Sequence, residues 1–138
     1  MAGHDPAICY DPEADVFEEL SGFGPALGFE EDVNYEERLK TDLKPGLVVV
    51  IGTDGIWETV DAKGEMFGKA RLGDIIRSRH FESAHDIAQS VIRALEDFRK
   101  PLKPADDITM VVIKTTTEGN QLPSSQRAGP RRFQDQSL

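Results

Sequence analysis

The sequence predicts an α+β domain, because strand-like apolar segments lie on both sides of a helical pair. Residues 47–51 read Leu-Val-Val-Val-Ile without a polar interruption, which favours a strand buried on both faces. Residues 84–99 carry apolar side chains every third or fourth position, which indicates an amphipathic helix. A second β-branched run at 108–114 follows the helical region and predicts a strand that returns to the first.

The N-terminal part predicts a hairpin and one further strand. Residues 7–10 and 16–20 are short apolar runs separated by an Asp-Pro-Glu turn, which is typical of paired antiparallel strands. The Gly- and Pro-containing loop after them holds Phe23 and Leu27, which we expect to point inward. Residues 34–43 show a partial alternation of apolar and polar side chains and are predicted as a strand.

The C-terminal part predicts two helices, a strand and a tail. A Lys-Pro-Gly turn precedes the strand at 47–51, and a helical turn follows Asp54. The predicted elements after it are helices over 69–79 and 84–99 and a strand over 108–114. Ser83 is the expected N-cap of the second helix, with Asp86 three residues on. We therefore expect an ordered domain over residues 1–114 and, because residues 115–138 have almost no apolar anchors, a disordered tail.

Composition and charge exclude several classes of protein. The net charge of −9 over 138 residues disfavours nucleic acid as a partner, because it repels phosphate backbones. The single Cys9 allows no intramolecular disulfide, and the sixth position after it is Asp15 rather than the Arg of a cysteine phosphatase. No apolar stretch has the length of a membrane span, and no signal pattern opens the chain. A cytoplasmic protein without membrane contact is expected.

Two acidic corners are the strongest candidates for chemistry. Asp54 and Gly55 follow the buried strand, and Asp106 and Asp107 precede the last strand. Taken singly, such corners are most often turns. Asp54 and Asp106 are 52 positions apart and two helices fill the interval, so the two strands can be neighbours with their ends together. Carboxylates on rigid elements suit Mg²⁺ or Mn²⁺, and the pair indicates a divalent-cation site and metal-assisted phosphoryl chemistry.

The motifs around these corners occur in the order of a known family. They are Ala-Gly-His-Asp-Pro at residues 2–6, Lys-Pro-Gly and the strand into Thr-Asp-Gly-Ile-Trp-Glu at 44–58, Met-Phe-Gly at 66–68, and Asp-Asp-Ile-Thr at 106–109. As a set they resemble the metal-dependent PPM serine/threonine phosphatases, and in particular their bacterial SpoIIE-like (RsbU-like) branch. The resemblance covers residues 2 to about 114.

The resemblance implies a fold, a cofactor and a reaction. The fold is the type 2C-like one, an antiparallel β-sandwich flanked by helices, of which this chain would be a part. The complete domain binds two Mn²⁺ or Mg²⁺ ions through carboxylates, and a metal-activated water hydrolyses phosphoserine or phosphothreonine. Asp54 and Asp106 match metal-ligand positions, and Gly55 matches the small residue beside the ion. No catalytic residue beyond the metal ligands is identified.

Four neighbouring residues have two interpretations each. Asp107 could support a metal ligand, although capping the corner is favoured. Glu58 could cap or support the Asp54 corner. His4 could touch the site or its substrate, but a structural role at a strand end is favoured. Trp57 could border the substrate cleft, but a role as a core anchor is favoured.

The chain lacks the family's upstream Asp-x-x-Gly-His-Gly motif and the acidic residue before it. The resemblance is thus to the C-terminal half of a catalytic domain. The first hypothesis is a phosphatase that carries part of its metal site here and acts on a phosphoprotein in bacterial signalling, such as an anti-sigma-factor antagonist. The alternative is a non-catalytic half-domain that binds a protein partner. An upstream half or a homo-oligomer would then cover its open strands.

Overall fold

The computed structural model describes residues 4–22, 24–29, 35 and 39–116. Six regular elements lie within these ranges. In chain order they are β1 (Ala7–Asp11), β2 (Val16–Leu20), β3 (Val48–Gly52), α1 (Gly68–Arg79), α2 (Ala84–Arg99) and β4 (Met110–Lys114). The hairpin, the buried strand, both helices and the last strand were all predicted from the sequence, with bounds that differ by at most two residues. The α+β class is confirmed.

The four strands form one antiparallel sheet in the order β2-β1-β3-β4. β3 lies in its centre, where Ile8 pairs with Val50 on one side and Val112 pairs with Val50 on the other. The chain leaves β3, forms both helices and returns as β4 antiparallel to β3. The end of β3 therefore lies next to the start of β4, as the sequence predicted.

Both helices pack on one face of the sheet and bury the main core. Alternate residues of the strands point to this face. The buried core residues come from β1 and β3, from the segment between β3 and α1, and from both helices. The core consists of Ile8, Tyr10, Val48, Val50, Ile56, Trp57, Phe67, Leu72, Ile76, Ile87, Val91 and Leu95. In α2 the side chain of Ser83 accepts a hydrogen bond from the backbone N–H of Asp86 at 3.1 Å, which confirms the predicted N-cap.

The opposite face of the sheet is apolar but only partly covered. Ala7, Cys9, Leu47 and Val49 are buried there, whereas Ile51, Val111 and Ile113 are 36%, 49% and 46% exposed. Burial raises the pKa of the Cys9 thiol. In the described ranges the second sheet of the implied β-sandwich is not formed, so these residues supply one layer of that architecture.

Two local predictions are wrong. The strand expected over residues 34–43 is not present at Tyr35 or at 39–43, where short turn hydrogen bonds such as Leu43 N–H to Thr41 O replace a ladder; the other residues of that range lie outside the described ones. Leu27, expected to point inward, is 75% exposed, and Phe23 is outside the described residues.

Thr115, the first residue of the expected tail, is hydrogen-bonded to the sheet. Thr115 donates its N–H to the carbonyl of Leu47 at 3.0 Å, and its hydroxyl accepts from the Leu47 N–H at 2.9 Å. These bonds hold Thr115 to the sheet. Residues 117–138 of the predicted tail lie outside the described part of the chain. Neither helix in the described part is long and apolar enough to cross a membrane.

Gly73 offers a stabilising substitution in α1. A Cβ at this position would lie 3.5 Å from the nearest atom of the Phe17 ring, which is ordinary van der Waals contact. Because alanine loses less backbone entropy than glycine in a helix, Gly73→Ala should raise the free energy of unfolding by about 0.5–1 kcal/mol. Urea denaturation measures the change, and a loss of stability would contradict the packing between α1 and Phe17.

An ion pair joins the β1–β2 turn to α1 and predicts a pH dependence. Asp15, at a φ of 52°, accepts hydrogen bonds from Arg77 Nε at 2.7 Å and from the Tyr10 hydroxyl at 3.0 Å. The bond from Arg77 and then that from Tyr10 lower the pKa of Asp15. A lowered carboxyl pKa stabilises the fold above its unfolded value of about 3.9, and the effect disappears as the pH falls through the folded value.

Asp15→Asn should therefore melt at a lower temperature than the wild type at pH 7, and the difference should vanish when Asp15 is protonated at low pH. Asparagine tolerates positive φ, so the turn itself is kept. Asp74→Asn is the matched control, because Asp74 lies 3.5 Å from Arg77 Nη1 and is more exposed. A difference between Asp15→Asn and wild type that does not change with pH would contradict this assignment.

Candidate metal centre

The two acidic corners lie side by side at one end of the sheet. Gly52, the last residue of β3, pairs with Met110, the first residue of β4. Asp54 follows Gly52 by two residues, and Asp106 precedes Met110 by four. Antiparallel pairing therefore brings together two segments that are far apart in sequence.

Thr53 and Thr109 fasten the two corners to each other. The Thr53 N–H donates to the Thr109 carbonyl at 3.1 Å, and the Thr109 N–H donates to Thr53 Oγ1 at 3.2 Å. The Thr53 hydroxyl donates to the carbonyl of Asp107 at 3.3 Å. These three bonds continue the contact between β3 and β4 beyond the ladder, so the position of each corner depends on the other.

Gly55 allows the closest approach between the corners. A Cβ at this position would lie 2.6 Å from the backbone oxygen of Asp107. Backbone atoms cannot move aside as a flexible side chain does, so any larger residue would push the corners apart. This contact is a steric reason for the small residue that the sequence places next to Asp54.

Each corner is braced by its own carboxylate. Asp54 Oδ1 accepts the N–H of Gly55 at 2.9 Å, and Asp106 Oδ1 accepts the N–H of Asp107 at 2.7 Å. Among the described residues, no side chain or backbone donor bonds the second oxygen of either carboxylate. Both aspartates are exposed, so each presents one carboxylate oxygen to a ligand from solvent.

Two open cavities border the corners. One, of about 180 Å³, is lined by His4, Asp5, Gly52, Thr53 and Asp54. The other, of about 120 Å³, lies between the turn after Asp54 and the loop after α2, and its lining includes Gly55, Glu58 and Asp106. Asp54 thus borders one of these cavities and Asp106 borders the other.

The remaining predicted residues occupy different surroundings. His4 is exposed, and its Nδ1–H donates to the Asp5 carbonyl at 2.8 Å. Glu58 is exposed and its N–H donates to the Asp54 carbonyl at 2.9 Å, which closes the turn, while its side chain lines the smaller cavity. Asp107 is exposed, and the side chain that braces its corner is that of Asp106. Trp57 is buried in the core.

Sequence reasoning missed the bonds that hold the corners together and some of the residues that line the cavities. Thr53 and Thr109 lie within the motifs, but only the strand register shows that they bond to each other. Asp5 was seen as part of the first motif, with no sign that it lines the same cavity as Asp54. Arg99 and Lys103, which line the smaller cavity, carry no motif signal at all.

The described residues fit part of a divalent-cation shell. Asp54 and Asp106 supply the anionic oxygens that Mg²⁺ and Mn²⁺ prefer. Within ranges 4–22, 24–29, 35 and 39–116, no three His, Cys, Asp or Glu side chains are close enough together to hold an ion. These two carboxylates fit as ligands, and further oxygens are needed to complete the coordination.

Comparisons with solved structures show the same fold. The SiaA PP2C domain of Pseudomonas aeruginosa matches with a TM-score of 0.67 and 23% identity over 80% of this chain and 43% of that one. The PP2C phosphatase domain of SpoIIE from Bacillus subtilis with a fragment of its regulatory domain matches with a TM-score of 0.63 and 17% identity over 86% and 33%. The phosphatase domain of Bacillus subtilis SpoIIE presoaked with Mn matches with a TM-score of 0.60 and 18% identity over 86% of this chain and 50% of that one.

The chain thus spans between a third and a half of these structures. No curated protein matches it significantly. The sequence model of the family described as stage II sporulation protein E (SpoIIE) matches residues 1–116 of the 138. This chain therefore belongs to the SpoIIE family of PP2C-like (PPM) phosphatases.

Proposed function

We propose that this chain is part of a metal-dependent protein phosphatase that hydrolyses phosphoserine or phosphothreonine. The observation that carries the proposal is the pairing of the Asp54 and Asp106 corners through Thr53 and Thr109. It sets two carboxylates on neighbouring rigid segments, each with one oxygen that no described donor bonds. Membership of the SpoIIE family supports the reaction class.

In this proposal Asp54 and Asp106 hold the divalent cation, Mn²⁺ or Mg²⁺. When bound, the cation supplies a nucleophilic water at neutral pH and neutralises charge on the phosphoryl oxygens. Gly55 keeps the corners close enough to share one ion, and the backbone N–H groups of Gly55 and Asp107 fix the two carboxylates. One solved relative, the SpoIIE phosphatase domain, was presoaked with Mn, which is consistent with this choice of metal.

The chain alone carries part of the site, and residues upstream of it in the family pattern complete the coordination of two ions. Two observations support this proposal: no three metal-ligating side chains cluster among the described residues, and the chain spans only part of each solved relative. The substrate is a phosphoprotein of a cytoplasmic bacterial regulatory pathway, with anti-sigma-factor antagonists as the first candidates. The solved relatives come from two bacteria, which supports a bacterial setting.

The test is hydrolysis of a phosphoserine peptide in Mn²⁺, first by this chain and then by a polypeptide in which the upstream half of a PP2C domain precedes it. We expect activity in the second protein that requires Mn²⁺ and is lost in Asp54→Asn. Asp97→Asn is the matched control, because Asp97 lies on α2 and pairs with Lys100 at 2.7 Å. Full activity of Asp54→Asn would overturn the role of Asp54.

A second function, a non-catalytic half-domain that binds a protein partner, is supported by the open face of the sheet. Ile51, Val111 and Ile113 are adjacent across β3 and β4 and are between a third and a half exposed. Surface patches of this kind often mark protein interfaces. Size-exclusion chromatography discriminates: a stable dimer that Val111→Glu converts to monomer supports pairing through this face, and a monomeric wild type contradicts it.

A further inference from the structure

A cationic pair lines the cavity beside Asp106. Arg99, the last residue of α2, and Lys103, in the loop that follows, border this space of about 120 Å³ together with Gly55, Glu58 and Asp106. Arg99 is half-buried and Lys103 is exposed. Within the described part of the chain neither side chain forms an ion pair, although Lys100 between them pairs with Asp97. Two cations thus border an open space next to a candidate metal ligand.

The helix dipole can explain the position of Arg99 but not that of Lys103. A cation in the last turn of a helix is favoured by the helix dipole. That effect acts on the backbone end of α2 and does not require a cavity. It also does not account for Lys103, which lies beyond the helix and borders the same cavity.

The charges of the cavity select the kind of anion. Arg99 and Lys103 are opposed by Glu58 and Asp106 in the same lining. Because Glu58 and Asp106 belong to the same lining, they repel a doubly charged phosphoryl group more strongly than a singly charged carboxylate. The guanidinium of an arginine also matches a carboxylate with two parallel hydrogen bonds.

The surrounding charge makes such a local site useful. The chain carries a net charge of −9, so an acidic segment of a substrate is repelled at long range. A cationic pair beside the reaction site would offset this repulsion for a peptide with the right spacing. It would then distinguish acidic from neutral neighbours of the phosphorylated residue.

We propose that the cavity formed by Arg99 and Lys103 beside Asp106 is a substrate-specificity site, which binds the carboxylate of an Asp or Glu next to the phosphorylated residue. The assignment to a substrate rests on the proposed phosphatase function. The binding of an acidic peptide segment does not, because it needs neither a metal ion nor a phosphate group.

The test is an NMR titration of the ¹⁵N-labelled chain without divalent cations, which detects millimolar affinity. One peptide has a serine between two glutamates, and its partner has glutamines instead. We expect the acidic peptide to shift the amide signals of Gly55, Val60 and Ala105, which line the cavity. The neutral peptide should bind roughly tenfold more weakly, as expected for loss of a charged hydrogen bond. Equal binding of the two peptides would overturn the proposal, as would the absence of shifts at these amides.

Substitutions of the cationic residues test which side chains bind the acidic peptide. Arg99→Gln and Lys103→Gln should each weaken binding of the acidic peptide by about three- to tenfold. Lys100→Gln removes the same charge one residue from Arg99, at a side chain that does not line the cavity, and should change binding by less than about twofold. Lys103 is an exposed loop residue, so its variant keeps the test valid if Arg99→Gln loses its fold. An equal effect of all three variants would indicate general charge attraction and would overturn the proposal.

Two further measurements separate the possible sources of the signal. Inorganic phosphate should fail to displace the acidic peptide at matched concentration; efficient displacement would assign the cavity to the phosphoryl group and overturn the carboxylate assignment. Hydrolysis of a phosphoserine peptide, measured separately, tests the proposed function. If the polypeptide with the upstream half fails to hydrolyse the peptide while the peptide shifts persist, the phosphatase assignment and the substrate role are lost, but the acidic-peptide site stands. Hydrolysis without shifts would sink only the specificity site.

Discussion

Gly55→Ala should separate the two acidic corners and lower the free energy of unfolding by about 1–3 kcal/mol. The new Cβ would lie 2.6 Å from the backbone oxygen of Asp107, so the corner after β3 or the one before β4 has to move. The movement strains the hydrogen bonds between Thr53 and Thr109. Urea denaturation gives the loss of stability, and faster exchange of the Thr109 amide hydrogen locates it.

The matched control is Gly73→Ala, which adds the same methyl group where the nearest atom is 3.5 Å away. The two substitutions should change stability in opposite directions. If Gly55→Ala retained both the stability and the slow Thr109 exchange of the wild type, the close packing of the corners would be contradicted.

Asp106→Asn and Asp107→Asn should differ by about 100-fold in Mn²⁺-dependent phosphatase activity, measured in the polypeptide that also carries the upstream half. Asp106 borders the cavity next to Gly55, and an amide in its place has lost the negative charge that a divalent cation requires. Its oxygen can still accept the Asp107 N–H, so the corner should keep its shape. Asp107 borders neither of the two cavities and should tolerate the change.

Stability provides the control for this comparison. Both variants should unfold within about 0.5 kcal/mol of the wild type, because both side chains are exposed and the amide oxygen of Asp106→Asn can keep the bond from the Asp107 N–H. A loss of activity in Asp107→Asn as large as in Asp106→Asn would show that the assignment of the ligand within this corner is wrong.

The elements of the fold were predictable where local signals agree with burial. The β-branched run at 47–51 has no helical alternative of sufficient length, and the structure buries Val48, Val49 and Val50. Ser83 defines the start of α2, and its end before Pro101 follows from the missing N–H of proline. The prediction that β3 and β4 are neighbours was correct, and no other strand of the sheet lies between them in the chain.

The sequence-based predictions were wrong in segments whose conformation is not set by their own residues. Alternation over residues 34–43 predicted a strand, but 39–43 has neither a ladder partner nor a buried face in the structure. Leu27 is apolar, yet a loop surrounded by glycines imposes no direction on it. The bond from the Thr109 N–H to Thr53 Oγ1 joins residues 56 positions apart, and the cavity beside Arg99 depends on how α2 ends against the Asp54 turn.

The most direct test of the central claim, that Asp54 and Asp106 share one divalent cation, is Mn²⁺ binding followed by the EPR signal of the free ion. Asp54→Asn and Asp106→Asn should each weaken binding about tenfold or more. The loss of binding free energy in the double variant should be much smaller than the sum of the losses in the two single variants, because ligands of one ion are not independent. Binding by either single variant that equals the wild type, or effects that add fully, would contradict a shared ion.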